Sequence, residues 1–73
     1  MWGLSDGRLI YIRNRQVVLY DPVDNGFHVD LGQLECEGKV LAMQELFDGS
    51  LLFAMSDGTV QIWYVLPRSS YYH

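Results

Sequence analysis

The 73-residue chain has room for one small domain, and a domain of this length buries only about 60% of its unfolded surface. Hydrophobic residues make up 49% of the sequence, which predicts a folded core rather than a disordered chain. The formal net charge of −4 argues against a nucleic-acid partner, because phosphate binding requires clustered Lys and Arg. Apolar runs stay below the roughly 18 residues of a membrane span, so no membrane partner is expected.

The first half of the chain predicts three strands. The continuous apolar run Val17 to Tyr20 indicates a strand that is covered on both faces. A turn follows at Asp21 to Gly26, because Pro22 fixes φ and Asn25-Gly26 supplies positive φ. Beyond it, apolar and polar residues alternate as in a half-exposed strand, up to a polar loop at Gly32 to Lys39. The predicted strands are Arg8 to Arg13, Gln16 to Asp21 and Phe27 to Leu31.

The second half predicts an antiparallel meander. Asp48-Gly49 and Asp57-Gly58 separate apolar runs, and Asp-Gly between such runs is a strong hairpin signal. The first run contains the helix formers Ala, Met, Gln and Glu, but its bounding glycines favour a strand. After Pro67 the chain reads as a frayed tail or as a further edge strand. The predicted strands are Val40 to Phe47, Leu51 to Met55 and Val60 to Val65.

An internal repeat relates the two halves. Leu4 to Tyr11 aligns with Leu46 to Phe53, and Asp48 lies 42 residues after Asp6. Val17 to Tyr20 then aligns with Val60 to Trp63 after one inserted residue. This period lies within the roughly 40–45 residues of a four-stranded propeller blade.

The second copy resembles the WD-repeat β-propeller family. Its order is strand a, tight turn, strand b, tight turn, strand c, with Trp63 at the family's Trp position and Asp57 at its turn Asp. The likeness covers Gly38 to Val65 well and Leu4 to Asp21 loosely. Tyr64 replaces the Asp of the Trp-Asp pair, and Lys39 replaces the usual His. The family's buried Asp–His–Ser/Thr–Trp network is therefore incomplete.

The resemblance implies an all-β, antiparallel, propeller-blade-like fold that is incomplete by itself. One small β unit, 1–73, would hold a first repeat at 4–31 with strands b-c-d and a second repeat at 40–65 with strands a-b-c. The smallest propellers have about four blades, so apolar faces and strand edges would remain uncovered. We expect a protein partner or further copies of the chain to cover them. The residues predicted for this assembly are Trp2, Leu9, Val18, Val60, Ile62, Tyr64 and Tyr72.

Charged loop tips form a second candidate surface. Arg13 and Arg15 flank one predicted hairpin turn, while Glu35 and Glu37 lie in the polar loop between the repeats. In a propeller these loops share one rim. They are interpreted either as a bipolar docking surface or as solvated tips whose ion pairs contribute about 0–1 kcal/mol each.

Catalytic and metal-binding interpretations find little support in the sequence. Asp48 and Asp57 could form an acid–base pair, but each precedes Gly in a turn, where Asp bonds nearby backbone. His28 and Cys36 are too scattered for a structural zinc site. We therefore expect no catalytic residue, no metal, no cofactor and no enzyme activity.

The propeller-like resemblance and the uncovered faces that it implies favour a protein-interaction or assembly module inside the cell. A lone cysteine, Cys36, cannot form an internal disulfide, and the first residues lack the order of a signal peptide, so a cytoplasmic or nuclear location is expected. The alternative function is a small oligomeric, lectin-like carbohydrate-binding propeller. Tyr64, Tyr71 and Tyr72 are its candidate exposed aromatic residues, whereas Trp63 and Phe53 are predicted to lie in the core.

Overall fold

The fold is nearly all β and consists of two antiparallel sheets, neither of which closes on itself. The computed structural model describes residues 1–35 and 37–70. The chain divides into two compact units, Met1–Gly38 and Lys39–His73, and each contains one sheet. The predicted fold class is thus confirmed as an all-β antiparallel meander. The predicted repeats, 4–31 and 40–65, fall one in each unit.

The first unit is a four-stranded meander in which each strand pairs with its neighbour in sequence, in the order β1-β2-β3-β4. Its register shifts between Val17 and Val18, where Gly32 lies opposite Val17 and Asp30 opposite Val18. Pairing continues past this irregularity, so β4 ends at Gln33 and not at the predicted Leu31. The strands are β1 (Trp2–Gly3), β2 (Leu9–Arg13), β3 (Gln16–Asp21) and β4 (Phe27–Gln33).

The second unit is a three-stranded meander in the order β5-β6-β7. The segment that contains several helix formers is a strand, as predicted, although it ends at Glu45 because Leu46 and Phe47 belong to the following turn. After β7, the described chain forms a short 3-10 helix at Arg68–Ser70 rather than another strand. The strands are β5 (Val40–Glu45), β6 (Leu51–Met55) and β7 (Val60–Trp63).

Three Asp-Gly turns share one construction. In the first, the N–H of Gly7 donates to the Leu4 carbonyl at 3.1 Å, and the N–H of Leu4 donates to the Arg8 carbonyl at 2.7 Å. Only the glycine has a positive φ, so these are three-residue loops, in which a glycine with left-handed backbone follows a type I turn. The Asp of each turn is not among the residues with positive φ, so the left-handed position falls on the glycine. The other two turns, centred on Asp48-Gly49 and Asp57-Gly58, repeat these hydrogen bonds.

The loop of the hairpin between β2 and β3 has two residues, one fewer than the loops at the Asp-Gly turns. Asn14 and Arg15 both have positive φ, at 49° and 65°, which matches a two-residue type I′ turn. The register preserves the internal repeat across this difference: Leu9 lies opposite Tyr20 in the first sheet, and Leu51 lies opposite Trp63 in the second.

Burial in the first unit follows the apolar pattern. Val17, Val18 and Leu19 are all buried, which confirms that β3 is covered on both faces. On β4 the alternation of half-buried and exposed residues is also present, as expected for a strand at the sheet's edge. At the end of β3, the buried carboxylate of Asp21 accepts hydrogen bonds from the N–H groups of Val23 and Asp24 at 3.1 and 3.2 Å. This carboxylate stabilises the turn that Pro22 begins.

The glycine turns yield a stability prediction. We expect Gly49→Ala and Gly58→Ala each to lower the free energy of unfolding by about 1–2 kcal/mol, because both glycines have φ near +88°. No atom lies within 4 Å of either added Cβ, so backbone strain is the sole cause. Urea titration measures the effect. The control is Gly3→Ala, whose Cβ makes an ordinary 3.8 Å contact with Leu9; an equal loss there would contradict the explanation.

Candidate interaction surface

An exposed apolar surface lies on one side of the second sheet. Val60 is 63% exposed and Ile62 is 46% exposed. Side chains two apart on a strand share a face, and the register places Ala54 opposite Val60 and Leu52 opposite Ile62. Ala42 of β5 lies opposite Ala54 and extends the same surface. We call this surface the Ile62 face; its apolar residues are Ala42, Leu52, Ala54, Val60 and Ile62, and the exposed Gln44, opposite Leu52, lies on the same side.

The strand that carries this surface is also an edge of its sheet. The N–H of Met55 donates to the Thr59 carbonyl, and hydrogen-bonded pairs alternate along an antiparallel ladder. Gln61 and Trp63 therefore direct their backbone groups toward β6, whereas those of Val60 and Ile62 point away from it. Tyr64 follows directly and is 77% exposed. The structure thus brings together three of the predicted assembly residues beside a row of outward backbone groups.

The opposite side of the second sheet is well packed. Phe53 is fully buried, and its ring centroid lies 6.2 Å from that of Trp63. The indole N–H of Trp63 donates to Oε1 of Gln61 at 2.9 Å, so a neighbouring amide supplies its polar partner. Phe53 is therefore a core residue, as predicted, and Trp63 packs against it. We call this side the Phe53 face; it carries Leu51, Phe53, Met55 and Trp63.

Three of the remaining predicted assembly residues, Trp2, Leu9 and Val18, belong to the first unit. Trp2 and Leu9 are half-buried. Trp2 lies in β1, opposite Ile10 of β2, and β1 is too short to leave a periodic pattern in the sequence. Val18 is only 1% exposed, so its side chain is part of the core and not available at a surface. Tyr72, together with Tyr71 and Cys36, lies outside the described residues.

The charged loop tips lie in adjacent loops of the first unit. The N–H of Leu34 donates to the Arg15 carbonyl at 2.7 Å, and the Arg15 guanidinium donates to the Gly38 carbonyl at 3.5 Å. The turn at Asn14-Arg15 therefore lies beside the segment that carries Glu35. The side chains of Arg13, Glu35 and Glu37 are exposed.

The two carboxylates considered for catalysis stabilise turns. Oδ1 of Asp48 accepts hydrogen bonds from the Ser50 hydroxyl at 2.6 Å and the Ser50 N–H at 3.0 Å. Asp57 has the same two bonds with Thr59, at 2.6 and 3.0 Å. The hydroxyl and then the N–H hold the pKa of each carboxyl below its ordinary value of 3.8, because both favour the charged form. The predicted side-chain bonds to nearby backbone are present.

Neither metal ligands nor membrane-spanning helices are evident in the part of the chain that the structure describes. Within residues 1–35 and 37–70, His, Asp and Glu side chains do not gather in groups of three or more suited to a metal ion. In the same residues there is no helix of sufficient length and hydrophobicity to cross a bilayer.

Comparison of the chain with protein-family models, curated proteins and solved structures gives no significant match. The candidate surface therefore has to be interpreted from its own geometry.

The turn carboxylates yield a pH prediction. We expect Ser50→Ala to raise the pKa of Asp48 part of the way toward 3.8, since the hydroxyl bond is lost and the N–H bond remains. A carboxyl with a lowered pKa stabilises the fold above pH 3.8 and loses that contribution as the pH falls through the lowered value. NMR titration of the carboxyl carbons measures both aspartates. Thr59→Ala is the matched control, and each variant should leave the other turn unchanged.

Proposed function

We propose that the chain is a non-enzymatic protein-interaction or assembly module that binds through the Ile62 face and the edge of β7. The observation that carries this proposal is the exposure of Val60, Ile62 and Tyr64 side by side. A protein partner or further copies of the chain would cover them. A cytoplasmic or nuclear setting, where cysteines stay reduced, suits the lone cysteine.

Apolar burial supplies part of the binding free energy. Moving one large aliphatic side chain fully from water into a packed interface contributes about 1.5–3 kcal/mol. Val60 and Ile62 are partly exposed, so covering both contributes a few kcal/mol at most. Association costs about 4–15 kcal/mol in lost translational and rotational freedom. The binding surface must therefore be larger than these two side chains.

The edge of β7 offers further contacts and makes binding specific. The outward N–H and C=O groups of Val60 and Ile62 are positioned to pair with an added strand, and such pairing fixes the register of the partner. An uncovered apolar edge strand also associates non-specifically unless something protects it. Because Val60 and Ile62 carry both the exposed apolar side chains and the outward backbone groups, one partner element can satisfy both.

The propeller-like order of the second repeat agrees with this role. Blades of that kind are sheets that become stable by stacking on neighbours. The first repeat, 4–31, coincides with β2, β3 and most of β4, and the second repeat, 40–65, contains β5, β6 and β7. Both features suit a part of a larger assembly, whether the other parts are copies or a different protein.

A matched pair of charge substitutions tests the proposal. We expect the native chain to sediment above its monomer mass at micromolar concentration, and Ile62→Asp to reduce it to a folded monomer, because a charge on the Ile62 face opposes burial. Phe47→Asp is the control: Phe47 is fully exposed in a turn outside that face, so its loss should leave the mass unchanged.

Amide hydrogen exchange is the measurement that can contradict the proposed binding surface. If the native chain is a monomer in which the amides of Val60 and Ile62 exchange as slowly as those of β6, the β7 edge is closed and the proposed surface does not exist.

Carbohydrate binding is the alternative function, and the exposure of Tyr64 favours it, since an exposed aromatic ring can stack on a sugar. A glycan array, together with quenching of tryptophan fluorescence by the sugars that bind, would show it. We expect Tyr64→Ala to abolish any such binding; a glycan response that survives this change would place the sugar elsewhere.

A further inference from the structure

The internal repeat matches the strands of the two sheets one by one. Leu9 lies opposite Tyr20 in the first sheet and Leu51 opposite Trp63 in the second, so β2 and β3 correspond to β6 and β7. β1 and β5 also correspond, since β1 pairs with β2 and β5 pairs with β6. β4 alone has no counterpart: it lies beside β3, whereas the described residues after β7, 64–70, form no further strand.

The backbone groups at the corresponding position face the same way in both sheets. The N–H of Leu34 donates to the Arg15 carbonyl, and the residues that bond one neighbouring strand alternate along an antiparallel ladder. Leu19, four positions after Arg15, therefore directs its backbone groups toward β4. Its counterpart Ile62 directs the same groups away from β6. The edge of β7 thus presents the hydrogen-bonding groups with which β3 holds β4.

Burial agrees with this difference in strand number. A strand added beside another covers part of the side chains of its neighbour, because residues directly opposite each other lie on the same side of the sheet. Leu19, which has Val29 of β4 opposite it, is fully buried, whereas Ile62 is 46% exposed. The second sheet is therefore open at the position that β4 fills in the first.

β4 indicates which side chains suit a strand at this position. His28 and Asp30 are exposed, and Val29 between them is half-buried. The same register on β7 places an apolar residue opposite Ile62 and a polar residue on each side of it. β7 itself reads Val-Gln-Ile-Trp and carries no charge, so the backbone ladder and this alternation, not ion pairs, select the partner.

A second copy of the chain is a poor source of such a strand. Its β4 is already paired with its own β3. Antiparallel pairing of two β7 strands about Ile62 would place Trp63 opposite Gln61, where the pattern of β4 has a polar residue. The strand is therefore better supplied by a different protein.

We propose that the edge of β7 takes an extended segment of a different protein as a fourth strand. This segment runs antiparallel to β7, with an apolar residue opposite Ile62 flanked by polar residues. The inference rests on the proposed function and names the chemistry of its partner. Main-chain hydrogen bonds supply the affinity in this mode of recognition, and alternate side chains supply the specificity.

A peptide with the sequence of residues 25–33 is the probe, because it has the alternation of β4. Fluorescence anisotropy of a label on the peptide follows its binding to the full chain, and amide hydrogen exchange locates it. We expect saturable binding that slows exchange at Val60 and Ile62. The amide of Met43, on the opposite edge strand β5, should be unaffected.

Two N-methylated peptides form a matched pair of controls. Methylation of the amide of Val29 removes the N–H that would face β7 and places a methyl group there, so binding should weaken at least about tenfold. Methylation of the amide of His28 alters the peptide's other edge, where a missing N–H is tolerated, and binding should stay within about twofold. The side chains of the two peptides are identical.

Three results would overturn the fourth-strand proposal. The first is no binding at about 1 mM peptide, where an interaction of only about 4 kcal/mol is detected. The second is equal weakening by the two methylated peptides, and the third is slowed exchange at Met43 in place of Val60 and Ile62.

Failure of this inference is distinguishable from failure of the proposed function. If the peptide does not bind, but the native chain sediments above its monomer mass and Ile62→Asp does not, the Ile62 face binds in another way and the proposed function survives. If the amides of Val60 and Ile62 already exchange slowly in a peptide-free monomer, the edge is closed and both proposals fail.

Discussion

The alternation of side chains across the β6–β7 ladder is the constraint on which the candidate surface depends. Phe53 lies opposite Gln61 and Leu52 opposite Ile62, and this register assigns every residue of both strands to one side of the sheet. A shift by one residue would bury Ile62 and expose Trp63. The turn at Ser56-Asp57-Gly58 sets the register, because its glycine adopts the left-handed backbone and the carboxylate of Asp57 binds Thr59. Local turn chemistry thus determines which residues are available to a partner.

Much of the fold could be predicted because its signals are local. The Asp-Gly pairs locate the hairpins, and the unbroken apolar run of β3 indicates its coverage on both faces. β1 was not predicted because two residues, Trp2–Gly3, are too few to show a period. The short 3-10 helix that follows Pro67 likewise left no signal beyond the proline. In these cases the local sequence carries less information than the tertiary context.

The interaction surface could be predicted only in part, for a different reason. Val18 and Val60 are both β-branched residues in predicted strands, and both were predicted as assembly residues. One is buried and the other is exposed, because burial depends on what packs against a face and not on the face's own composition. The sequence pattern therefore identified apolar strands correctly but did not distinguish core from surface at Val18. The strand register and the edge position of β7 were needed to show that Val60 and Ile62 lie together on a surface.

The pairing of each strand with its sequence neighbour has a kinetic consequence. All ladders in both sheets join consecutive strands through short connections, so the sheets form through contacts close in sequence. Proteins with such local contacts fold faster than those that depend on distant pairings. If coverage of the Ile62 face comes from another molecule, refolding would separate into a rapid unimolecular phase that forms the ladders and a slower bimolecular phase whose rate rises with protein concentration.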